Sequence, residues 1–137
     1  MTKWDKFFRE KVIGIFTECQ SVIDVGGGLR ILREQGNRYD KSRNWILPYV
    51  KKVKYKILDP VPNYNPDIIG DIHNLPLVDS SQEAIICLAV MEHAEDPKQA
   101  FKELHRVLKP GGVLFGLCAL PFLLSRRKGI LSGLLAV

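Results

Sequence analysis

Cysteine is scarce in this sequence. Of 137 residues only Cys19, Cys87 and Cys118 are cysteines, with no CxxC pair and no Cys/His spacing that suits a metal. Cys87 and Cys118 lie inside apolar runs, where a thiol behaves as a small buried hydrophobe. The expectation is a reduced, cytoplasmic protein without a structural metal. A membrane-spanning apolar run is also missing. The longest candidate, Val113 to Leu124, is too short and contains Pro121. The first residues, Met1-Thr2-Lys3-Trp4-Asp5-Lys6, mix both charges, and no apolar signal-peptide core follows them. No internal repeat or convincing boundary divides the chain. The reading is therefore one domain over 1–137, with an N-terminal helix within 1–20 and an atypical apolar tail over 118–137.

Acidic residues are outnumbered, 15 against 20 Lys and Arg, for a net charge of +5. Two basic clusters stand out: Lys51, Lys52, Lys54 and Lys56, then Arg126, Arg127 and Lys128. Neither is interleaved with an aromatic platform or set in a nucleic-acid motif, so solvated surface is the simpler reading and nucleic acid is not expected as a partner. A hydrophobic fraction of 46% with 26% charged residues excludes a disordered or fibrous chain.

What is present is an alternation of patterns. Trp4, Phe7, Phe8, Val12, Ile15 and Phe16 recur at helical spacing between charged residues. Ser21 to Val25 is a short β-branched run that stops at Gly26-Gly27-Gly28, as a buried strand entering a tight turn would. Leu29 to Glu34 suits one or two helical turns, and the polar stretch Gln35 to Asn44 suits a loop. Further strands are expected at Lys54–Leu58, Asp67–Asp71, Ala84–Val90 and Val113–Leu117. Asp96-Pro97-Lys98-Gln99 predicts a capped helix start, with Gln99 reaching back in a capping box. Ala100, Phe101, Leu104, Val107 and Leu108 form its apolar face, leaving Lys102, Glu103 and Arg106 outside. Strands alternating with helices imply an α/β sandwich around a mostly parallel sheet of about five strands.

Two places carry chemistry on the residues alone. The Asp24-Val25-Gly26-Gly27-Gly28 turn lets a ligand approach the backbone, with Gly26 and Gly28 free to take positive φ. Asp24 at the strand end suits an ammonium group, but such a turn is equally compatible with a purely structural role. Asp59, closing the second strand, is placed to accept hydrogen bonds from ribose hydroxyls; the alternative is a surface aspartate before Pro60.

Three ordered segments then decide between these. They are Gly70-Asp71-Ile72-His73-Asn74-Leu75-Pro76, Ala84 through His93, and Leu108-Lys109-Pro110-Gly111-Gly112. Together, over Ser21 to Leu117, the chain resembles the type 11 family of class I S-adenosylmethionine-dependent methyltransferases. The resemblance implies a Rossmann-like three-layer sandwich with S-adenosyl-L-methionine as cofactor. By it, Asp24 and the Gly26, Gly27, Gly28 turn would hold the methionine end and Asp59 the ribose. Asp71 would bind the adenine amino group, Ile72 would pack on the ring, and Leu88 and Ala89 would line the pocket beside the sulfonium.

The departures carry expectations too. Arg30 stands at the family's third glycine, implying a changed loop path, and Gln82-Glu83 replaces an aromatic-Asp pair. His93 is the one weak candidate for a general base, weighed against a structural role that is favoured. Pro121-Phe122-Leu123 still resembles the family, but from Ser125 onward the sequence departs from it, and the residues after Leu117 are too few for its further helix and closing β-hairpin. The reading is a chain shortened after the fifth strand, with an open sheet edge and a homodimer formed through strand five or the tail. Methyl transfer to a small-molecule or glycan-type acceptor is the leading function. A cofactor binder without turnover and an assembly module are the alternatives.

Overall fold

The computed structural model describes residues 1–117 and 123–126. Cys118, Pro121, Phe122 and the tail from residue 127 onward lie outside the described residues.

Helix α1 runs Lys3–Glu18 and starts on a capping box: Thr2 Oγ1 accepts the Asp5 amide at 3.0 Å, while the Asp5 carboxylate accepts the Thr2 amide at 2.9 Å. Strands β1 (Ser21–Val25), β2 (Lys54–Asp59), β3 (Ile68–Ile69), β4 (Gln82–Leu88) and β5 (Leu108–Leu117) follow the predicted order and pair in parallel. A short helix α2 (Leu47–Val50) precedes β2, and α3 (Pro97–Val107) connects β4 to β5.

Among the described residues the sheet has six strands in the order β3-β2-β1-β4-β5-β6, where β6 is Leu123–Arg126 and pairs antiparallel to β5. This sixth strand corrects one expectation. The outer edge of β5 is taken by β6 from Val113 to Gly116, so strand five offers no open edge there to a second copy.

Alternation along the central strands builds two cores. Val22, Ala84, Ile86, Leu88, Val113 and Phe115 face α1, where they meet Phe8, Val12, Ile15 and Phe16. Ile23, Val25, Ile85, Cys87 and Leu114 face the other way, against Ala100, Leu104 and Val107 of α3. Both sheet faces are thus covered, which is why β4 reads as an unbroken apolar run and not as an alternating one. The three-layer α/β expectation matches this arrangement.

Two local readings differ. Residues 29–32 are not helical, and 3-10 turns at Arg33–Arg38 and Lys41–Ile46 occupy most of the stretch expected as a loop. Glu103 does not lie outside the α3 face. It is 8% exposed and accepts the Leu75 amide at 2.7 Å, while Arg106 bonds both its oxygens at 2.8 Å.

Candidate cofactor cleft

The strand order reverses between β1 and β4, and a crevice necessarily opens beyond the carboxyl ends of strands at such a point. A cleft of ≈ 340 Å³ lies there. Val25 and Gly26 form its floor, Leu58 and Pro60 one side, Gly70, Asp71, Ile72 and His73 a second, and Val90, His93, Ala94 and Glu95 a third.

The glycine bend is built from its neighbours inward. Gly26 and Gly27 take φ of 79° and 61°, so positive φ falls on Gly27 and not on Gly28 as the sequence suggested. Gly28 is small for a different reason: a Cβ there would lie 2.7 Å from Leu88 Cβ and 2.9 Å from the Leu88 carbonyl oxygen. Asp24 organises this turn from inside the protein. Fully buried, it accepts the Gly28 amide at 3.0 Å, the Leu29 amide at 3.1 Å and the Tyr55 hydroxyl at 2.5 Å. Burial pushes its carboxyl up to about 6, against the lowering pull of those three donors. In this geometry Asp24 shapes the bend and does not line the cleft.

Asp59 is also buried, at 2% exposure, and both its oxygens are taken by the chain itself. Oδ1 accepts the Val61 amide at 2.8 Å, and Oδ2 accepts Nη1 of Arg38 at 2.7 Å. The Arg38 guanidinium stacks on Tyr64, 3.3 Å from the ring centroid, and also donates to the Gly26 carbonyl at 3.3 Å. Sequence reasoning passed over Arg38, because it lies in a polar stretch without periodicity.

Asp71, by contrast, has a side chain 65% exposed. One of its oxygens accepts the His73 amide at 2.8 Å and pairs with His73 Nδ1 at 2.7 Å. These bonds to His73 hold the Asp71 carboxyl below its ordinary range. His73 is fixed in turn from α3: the Asp96 amide donates to its Nε2 at 3.1 Å, and Gln99 Nε2 donates to its carbonyl at 3.1 Å. Asp96 does cap α3, accepting the Gln99 amide at 3.1 Å, but the Gln99 side chain goes to His73 and closes no capping box. The Glu103–Arg106 pair completes the support. Arg106 also donates to the carbonyls of Leu75 and Leu77 at 2.9 Å, clamping the segment after Ile72 onto α3.

Of the residues singled out from sequence, Gly26, Asp71 and Ile72 meet in the cleft, with Ile72 only 8% exposed. Asp24, Gly27, Gly28 and Asp59 stand behind its walls. Leu88 and Ala89 do not line it. Leu88 belongs to the α1-side core, and Ala89 takes a left-handed φ of 56° that brings Val90 to the wall instead. His93 is at the rim with its side chain 80% exposed, its Nε2 3.9 Å from Glu92. Arg30 adopts φ 58°, the conformation a glycine would take most easily, and its Nε bonds the Arg38 carbonyl at 2.6 Å.

A family profile described as a methyltransferase domain matches residues 48–116, half of the chain, from α2 through β5. The chain belongs to the methyltransferase-domain family. This methyltransferase domain is 31% identical over 128 residues to the mitochondrial ubiquinone biosynthesis O-methyltransferase of Dictyostelium discoideum, across 80% of this chain and 40% of that protein. It is 27% identical over 120 residues to the tRNA U34 carboxymethyltransferase of Campylobacter curvus, across 83% of this chain and 40% of the other. It therefore spans about two fifths of the length of these curated relatives. Among solved structures, its fold resembles a SAM-dependent methyltransferase from Aquifex aeolicus, with TM-score 0.53, 21% identity, and coverage of 78% of this chain and 61% of that one. The PH0226 protein of Pyrococcus horikoshii shares the fold at TM-score 0.58 and 17% identity, over 81% and 51% of the two chains. The cofactor of this methyltransferase family is S-adenosylmethionine. No helix among the described residues is long and apolar enough to cross a membrane.

Proposed function

We propose that this chain binds S-adenosylmethionine in the β1/β4 cleft and transfers its methyl group to a small-molecule or glycan-type acceptor. The observation that carries the reading is the meeting of the glycine bend, Asp71 and Ile72 around one crevice at the strand-order reversal. The cleft's volume falls within the usual range for a small-molecule site. Its chemistry fits as well: an exposed carboxylate stands beside a buried aliphatic side chain, and a backbone turn lies open at the floor.

In this reading Asp71 accepts the adenine amino group, Ile72 packs on the ring, and Gly26 lets the backbone approach the methionine end. Gly27 and Gly28 keep the bend tight, and Asp24 holds it in shape from below. Asp59 takes the ribose hydroxyls once Arg38 has turned away. When bound, the cofactor supplies a methyl group already activated by its sulfonium, so no covalent enzyme intermediate is needed. The protein's contribution is alignment of the acceptor and exclusion of water. No side chain of the cleft is assigned as a base, and exposed His93 is read as shaping the rim.

Residues 1–137 are proposed to act as one unit, in the cytoplasm. With strand five covered, the apolar tail is the remaining candidate for a homodimer contact; sedimentation as a monodisperse monomer at high micromolar concentration would overturn that part.

Calorimetry with S-adenosylmethionine tests the central reading. Micromolar binding that weakens at least tenfold in Asp71→Ala is the expected result, and absence of binding to the folded protein defeats it. Release of S-adenosylhomocysteine in the presence of an acceptor then separates a methyltransferase from a binder without turnover.

A further inference from the structure

A second cleft, of ≈ 350 Å³, lies on the α1 side of the sheet. Its walls are aromatic and cationic: Trp4, Phe8 and Trp45 with Arg9 and Arg43. Helix direction places it at the same end of the sheet as the first cleft. Phe16 packs on Tyr55, the register partner of Val22 early in β1, at 6.0 Å between centroids. Phe8 packs at 6.0 Å on Phe115, which is level with Ile86 and through it with Asp24, late in β1. Helix α1 therefore runs against the strands, and Trp4, one turn before Phe8, stands at their carboxyl ends. Leu29 and Ile31, just after the glycine bend, join the α1-side core. No residue lines both clefts.

The charges of this second cleft are poorly matched. The Arg9 guanidinium stacks on Trp45 with Cζ 4.5 Å from the centroid, and Arg43 stacks on Phe8 at 4.6 Å. Arg43 Nε is 4.0 Å from Asp40, and its buried Nη1 finds no hydrogen-bond partner among the described residues. Burial lowers the Arg43 pKa, as expected of a cation stripped of water and incompletely paired. Asp5 is the one carboxylate among the lining residues, and Thr2 occupies it. An excess of positive charge, held flat on aromatic faces, is suited to a ligand that is both planar and anionic.

We propose that this cleft binds a small aromatic carboxylate, with the ring against Trp4 and Trp45 and the carboxylate toward Arg9 and Arg43. Binding of the anion there does not depend on the methyl-transfer reading.

The chain contains two tryptophans, and both line this cleft, so intrinsic fluorescence reports on it directly. Benzoate is expected to quench the emission saturably. Benzyl alcohol, of the same shape without charge, and acetate, charged without a ring, are each expected to bind at least tenfold more weakly. Arg9→Gln and Arg43→Gln, checked for native circular dichroism, should each weaken benzoate by roughly tenfold. Equal binding of benzoate and benzyl alcohol overturns the proposal, as does tighter binding of uridine monophosphate, which would assign the cleft to a nucleotide. If Arg43→Gln fails to fold, Arg9→Gln alone decides. Calorimetry without benzoate tests the cofactor cleft separately, so each reading fails on its own measurement.

Discussion

Arg38 lies against Asp59, Nη1 to Oδ2 at 2.7 Å, so the carboxylate proposed to receive a ribose is already bonded to a cation of its own chain. The arginine is one-third exposed and the aspartate almost fully buried. Opening the pair is therefore a cost that cofactor binding has to offset. Arg38→Met should lower the melting temperature of the free protein, through a loss of about 1–2 kcal/mol for a mostly buried pair whose cation reaches solvent. It should also tighten S-adenosylmethionine severalfold in calorimetry. Asp59→Asn should weaken the cofactor by tenfold or more. Unchanged affinity in both variants would show that the ribose is not held there.

Asp24 gives a pH signature. Its folded pKa is raised from 3.8 to about 6, so between those values the folded state holds a proton that the unfolded chain has released. Its contribution to stability is therefore greatest at the acidic end and falls as pH rises through that window, by up to about 3 kcal/mol. Asp71 and Glu103, whose pKa values are lowered, act in the opposite sense, so the difference between wild type and Asp24→Asn is the quantity to measure. Urea denaturation from pH 7 down to 4 should show wild type gaining stability relative to Asp24→Asn as pH falls. A difference independent of pH would contradict the burial argument.

Backbone geometry predicts two substitutions of opposite sign. Gly28→Ala would press a methyl into Leu88 and should destabilise by about 1–3 kcal/mol. Ala89→Gly relieves a left-handed residue on the exposed surface and should stabilise by up to about 1 kcal/mol, a rise of a few degrees in Tm. Thermal melts of the two variants check both.

Removing the charge of Glu103 tests the clamp under Asp71 and Ile72. Glu103→Gln keeps the shape but weakens the bonds to Arg106 and the Leu75 amide. Exchange of the Leu75 amide should quicken by roughly tenfold, with weaker cofactor binding and little change elsewhere in α3. Uniform loss of protection across the sheet would mean that the pair supports the whole fold.

His93→Ala should leave turnover within about threefold of wild type. A general base contributes 10²–10⁴-fold, so a loss of that size, together with loss of a pH limb near neutrality, would assign the proton transfer to this residue.

The strands and the start of α3 were legible because their signals are local: β-branched runs ending at glycine or Asp-Pro, and an Asp-Pro-x-Gln cap. Asp71 and Ile72 were found through an ordered motif and lie in the cleft. Other features depend on contacts far apart in sequence. Arg38 meets Asp59 across a polar loop that carries no period, and Glu103 is buried because the segment at Leu75 folds over it and Arg106 covers its charge. The expectation for the end of β4 came from the family resemblance and not from alternation. One left-handed residue, Ala89, takes the chain off the pleat, and Val90 reaches the cleft where Leu88 and Ala89 were expected. The short β6 finds its register by pairing with β5.

The strand order has a consequence for biosynthesis. β1 leaves the ribosome first, yet its two lateral neighbours are β2 and β4, the latter encoded much later. Until β4 is made, half of the middle of the sheet is unpaired, and α1 is the available local cover for its greasy side. Newly made chains stalled before Gln82 should therefore be the ones that chaperones and proteases capture most readily.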